Sequence, residues 1–178
     1  MAEKRTYSTG DQNVVVPLRP ETATSPEGLA ALPAMLAEHD RLQSLCDVLE
    51  QIADDLPKAP PPLLCRELIS AIAQSHSPKA QACSKVLAHT LQGPWSGLGA
   101  RIAAMQAEQE GLGQEIILSL EHISRSPQVD APDMLGYMLR AWFEGCKRLM
   151  MIEELALLAC SRQHLTARQS VELEIRLN

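Results

Sequence analysis

The chain has 178 residues, 16 basic and 22 acidic side chains, and a formal net charge of −6. That length allows one domain with a buried core plus a tail, and the acidic balance argues against a surface built to attract phosphate, which sets a nucleic-acid role aside. Aromatic residues are only 3%, while Ala, Leu, Ile and Met dominate an apolar fraction of 46%, a composition that favours helix over the β-branched and aromatic mixture of sheets.

Residues 1–27 hold Gly10, Pro17, Pro20 and Pro26 without a helical period. They are expected to form an irregular arm on the surface of a domain spanning 28–178, with Val14, Val15 and Val16 making the arm stick. After Ser25-Pro26-Glu27, which reads as a helix entry, apolar residues recur at Leu32, Met35, Leu36, Leu42, Leu45, Leu49, Ile52 and Leu56. This is the 3.6-residue stripe of a first helix, and His39 lies on it.

The proline-rich stretch from Pro57 to Pro62 ends that helix and opens a second, with the stripe Leu64, Leu68, Ile72, His76, Cys83, Val86 and Leu87. Pro78 lacks an N–H and crowds the carbonyl four residues back, so this helix should kink near Gln74 to Ser77 or divide there. A third helix carries Leu98, Ile102, Met105, Gln109, Leu112, Ile116, Leu120 and Ile123. A fourth carries Leu135, Met138, Leu139, Trp142, Cys146, Leu149, Met150, Glu153, Leu157 and Cys160. Thr166-Ala-Arg-Gln169 has the form of a capping box, so a short C-terminal helix should bring Val171, Leu173 and Ile175 back onto the domain. Long helices joined by short Pro/Gly connections make an antiparallel up-down-up-down four-helix bundle the economical all-α architecture.

The five cysteines are odd in number and form no Cys-x-x-Cys pair, so they read as small core fillers rather than a disulfide framework or a thiolate zinc site. Met105, Met134, Met138, Met150 and Met151 read as adaptable core. Met1 to Gly10 is charged and polar, and no run approaches the roughly 18 apolar residues of a membrane span. The expectation is a soluble cytoplasmic protein.

His39, Gln109 and Glu153, with His76 beside them, are polar residues on apolar stripes, and a buried polar group without a partner costs about 1–3 kcal/mol. Several at similar depth suggest an interior site or its remains. Taken alone, His39 reads as a hydrogen-bonded core residue, Gln109 as a bridge to His39 or Glu153, and Glu153 either as half of a buried ion pair with His39 or His76 or as a partly solvated carboxylate. His89, His122 and His164 lie near helix ends and read as surface residues. Glu108, Glu110, Glu115 and Glu121 read as a solvated face.

Ala37-Glu38-His39-Asp40-Arg41-Leu42 in the first helix, Ala107-Glu108-Gln109-Glu110-Gly111 in the third, and Ile152-Glu153-Glu154 followed by Arg162-Gln163-His164-Leu165-Thr166 at the end of the fourth resemble the hemerythrin-like (HHE cation-binding) domain. The resemblance covers about residues 30–178. It implies a non-haem di-iron centre held by a His from helix one, a His-x-x-x-Glu pair from helix two, a His from helix three and a similar pair from helix four. The i, i+4 spacing sets both members of a pair on one helix face.

Carried over by position, His39 matches the first ligand and Glu153 the last carboxylate. If His76 is the second-helix His, four residues on stands Ala80; Gln109 replaces the third-helix His; four residues before Glu153 stands Leu149. Such a set implies loss of the di-iron centre, leaving His39, His76 and Glu153 as vestigial metal positions and Gln109 as polar core.

No phosphate loop, nucleophile elbow or triad is legible. The expectation is therefore a non-catalytic binding or regulatory module without a cofactor, acting on a protein partner or a second copy of itself. The alternative is a non-haem iron protein that senses or carries oxygen or nitric oxide through the reduced ligand set.

Overall fold

The computed structural model describes residues 26–91, 96–161 and 175. Among these residues the chain is all-helical, without a strand: α1 spans Pro26–Asp55, α2 Pro62–Ser75, α3 Ala82–Thr90, α4 Ser96–Arg125 and α5 Pro132–Ser161. No described helix is long and apolar enough to cross a membrane. The expected arm lies outside the described residues except for Pro26 and Glu27, which open α1. The short C-terminal helix lies outside them too, apart from Ile175, which is exposed rather than packed back onto the domain as expected.

Proline sets several boundaries. Pro62 and Pro132 stand at the starts of α2 and α5, where the missing N–H would have had no partner in any case. Asp133 in the first turn of α5 complements the positive end of that helix. At Pro78 the second stripe divides rather than kinks. The proline offers no N–H to the Gln74 carbonyl, which accepts instead from Ser77 N–H at 3.0 Å, and α3 begins afresh at Ala82.

α1 packs on α5 and α3, and α4 packs on α2, α3 and α5. Contacts between α1 and α5 run from His39 with Glu153 and Glu154, through Cys46 with the Phe143 carbonyl, to Asp54 with Arg140. Each step up α1 is thus a step down α5. The main apolar cluster fills one end of this packing, with Leu49, Ile72, Ile116, Leu120, Leu139 and Trp142 fully enclosed. Burying a side chain of that size contributes about 1.5–3 kcal/mol.

Two smaller clusters, one around Met35 and Leu36 and one around Leu87, Leu91, Ile102 and Ala156, occupy the other end. His39, Gln109, Glu153 and Glu154 are buried as well, and on α1 and α5 they interrupt the apolar run.

Three further apolar expectations need correction. Val86, Met134 and Met151 are exposed rather than core. Met151 follows the buried Met150 and is turned about 100° around the helix from it. Met134 precedes the buried Leu135 in the first turn of α5, and Val86 precedes the buried Leu87 on α3. One residue of rotation decides the side in all three.

Candidate functional site

His39 reaches the interior because it continues the α1 stripe one turn after Met35 and Leu36, both buried. Glu153 does the same on α5, between the buried Met150 and Ala156. The neighbouring Glu154 is turned about 100° around the helix, and this brackets the imidazole. His39 Nε2 lies 2.9 Å from Glu153 Oε2, and His39 Nδ1 lies 2.8 Å from Glu154 Oε1. The three residues are 4%, 2% and 6% exposed.

Carboxylate oxygens accept, so both ring nitrogens must donate, and an imidazole does so only when protonated. Burial opposes that charge. The hydrogen bonds from the ring to Glu153 and Glu154, together with their charges, outweigh burial and push the His39 pKa up from 6.5 to about 9. The triad is a buried imidazolium between two carboxylates, and each bond is charge-assisted. Glu153 Oε1 also accepts from Gln106 Nε2 at 3.3 Å.

The Gln109 expectation is corrected in its partner. Its amide packs over Gly145, and its Oε1 accepts from the Cys146 thiol at 3.5 Å. Gln106, one turn earlier on α4, makes the bond to Glu153 that Gln109 was expected to make. Glu154 and Gln106 were both missed as site residues in the sequence. The signals were present in the Glu153-Glu154 doublet and in the i, i+3 spacing of Gln106 and Gln109.

His76 caps the C-terminal end of α2. Its ring packs against Gly113, where a Cβ would collide with it, and meets Trp142 edge-on at 6.2 Å and 68°. The His76 Nδ1 and the Trp142 Nε1 are buried without a hydrogen-bond partner. Burial lowers the His76 pKa below its ordinary value, against a smaller opposing pull from Glu110, so the ring is neutral at pH 7. His122 stands on the surface with Asp130 at 3.0 Å.

A cavity of about 50 Å³ lies among α1, the α2–α3 break, α4 and α5. His39, His76, Ala80, Gln109, Leu149 and Glu153 all contribute to its wall. One water needs about 10–15 Å³ on this scale, so a few waters or one very small molecule fit.

The geometry does not suit a metal. The ring nitrogens of His39 point apart and each is occupied by a carboxylate, so Glu153 and Glu154 cannot join His39 on one ion. Among the described residues no group of three or more His, Cys, Asp or Glu is placed to hold one. Comparison of the chain with models of protein families, with curated proteins and with solved structures finds no match in any of the three.

Proposed function

We propose that the chain is a hemerythrin-like, antiparallel up-down-up-down four-helix bundle that has lost most of its di-iron ligands and acts as a non-catalytic binding or regulatory module. One observation carries this reading: the six positions that the resemblance would assign to a metal centre, both kept and lost, border one interior cavity. Three of the six are Ala80, Gln109 and Leu149, none of which suits iron. His39, a kept position, spends both nitrogens on carboxylates, so a proton does the charge-balancing work that a cation would do.

A contact role has support on the outside. Leu118, Met134 and Tyr137 expose apolar surface on α4 and α5, and the first two border a groove between these helices. The partner class we favour is protein, a second copy of this chain included.

Elemental analysis and an optical spectrum after expression with iron test the reading. The expected result is iron far below one per chain and no near-ultraviolet charge-transfer band. Stoichiometric iron with such a band would contradict it and favour an oxygen or nitric oxide binder using His39, His76 and Glu153.

A further inference from the structure

α4 and α5 pack side by side, and along that contact runs a groove of about 340 Å³. Its floor is the main apolar core: Ile123 of α4 and Leu135 of α5 border it, are buried, and belong to that cluster. Its walls are apolar but face water, with Leu118 from α4 60% exposed and Met134 from α5 61% exposed. Tyr137, about one turn after Met134 and 72% exposed, carries this surface further along α5. Large apolar side chains scattered singly over a surface are ordinary, whereas three set together along a groove with a packed floor form a contact surface.

The permanent charges around the groove are of one sign. No Lys or Arg borders it, the carboxylates of Glu115 and Asp130 do, and Asp133 stands exposed beside Met134 in the first turn of α5. Asp130 is bonded to His122, but Glu115 and Asp133 carry no ion pair among the described residues. That sign decides among occupants. An anionic membrane surface or a nucleic acid would be repelled. A second copy of the chain seated about a two-fold axis would set acidic rim against acidic rim. A partner whose Lys or Arg residues flank an apolar stripe meets both features. A groove between two helices takes such a stripe most readily from a third helix, whose side chains at i, i+3 or i+4, and i+7 share one side.

We propose that the α4–α5 groove is the docking site for a basic amphipathic helix of another protein, with Leu118, Met134 and Tyr137 taking its apolar face and Glu115 and Asp133 meeting its Lys or Arg flank. Met134 and the half-buried Met138 suit this role, because an unbranched thioether side chain adapts its shape to what is laid against it. The proposal names the partner for the contact role proposed above and rests on it.

The test adds fluorescein-labelled helical peptides to the folded full-length chain and follows anisotropy, using one peptide built of Leu and Lys and a second with Glu in place of every Lys. The Leu/Lys peptide should bind and the Leu/Glu peptide should not, and added salt should weaken the binding. Leu118→Gln combined with Met134→Gln should weaken it by about tenfold. Glu115→Lys should weaken it by roughly fivefold, whereas Glu67→Lys, the same charge change at an exposed position on α2, should have little effect. In spectra of methyl-labelled methionine the Leu/Lys peptide should shift Met134 and Met138 most. The peptide comparison and the methyl spectrum use the wild type, so a variant that fails to fold leaves the test intact. No binding of the Leu/Lys peptide, equal binding of both peptides, an equal loss in Glu67→Lys, or the largest shifts at the buried Met35 or Met105 would overturn the proposal. So would a dimer in light scattering that Leu118→Gln with Met134→Gln dissolves, since the occupant would then be a second copy, or binding to phosphatidylglycerol vesicles through the same two residues. Iron content is a separate readout, so this proposal and the loss of the di-iron centre can fail independently.

Discussion

The two ends of the helix packing are held by different physics. Around Leu49, Leu120, Leu139 and Trp142 nearly every enclosed atom is apolar, and stability there scales with area removed from water. Toward the C-terminal half of α5 the core gives way to an imidazolium, two carboxylates and an amide, which are neutral or costly unless every partner is in place. The first arrangement tolerates change in proportion to volume. The second should respond in a more nearly all-or-none way, because each polar group depends on the others for its partner.

The largest effect should come from Glu153→Ala, which leaves His39 with one carboxylate and Gln106 without an acceptor; a loss of about 3–5 kcal/mol in urea unfolding is expected. Leu120→Ala at the apolar end should cost about 2–5 kcal/mol. The two ends are then separable by pH, because the Leu120→Ala deficit should stay constant across the range in which His39 titrates. A Glu153→Ala deficit that is equally flat would erase the distinction.

The pH dependence has a definite sign. The His39 pKa is raised from 6.5 to about 9, so its stabilisation is complete below about 6.5 and is lost as the pH rises through about 9. The shift corresponds to about 3 kcal/mol. Urea titrations between these limits should show that decline in the wild type, and His39→Leu should flatten it. A wild-type curve that is level across the window would contradict the charged triad. The smallest effect should be at the surface, where Lys147→Ala removes the exposed pair with Glu50 and costs less than about 1 kcal/mol, diminishing with added salt.

The helices and their inward faces were legible in the sequence because 3.6-residue stripes and prolines are local signals. The polar positions were legible for the same reason: His39, Gln109 and Glu153 each interrupt such a stripe. Their pairing was not. Whether Gln106 or Gln109 meets Glu153 depends on the sliding and rotation of α4 against α5, which no single helix encodes. Glu154 was hidden by its place beside the stripe, although a residue 100° away can still reach a ring wedged between two helices. Val86, Met134 and Met151 erred in the other direction, since their apolar character says nothing about which side of one residue's rotation faces water.

The most direct test of the charged triad is a nitrogen-15 and proton NMR titration of the His39 ring. Two ring N–H signals near pH 8 and a single transition close to 9 are the result predicted here. A neutral ring titrating near 6.5, or one nitrogen taken by a metal, would contradict it.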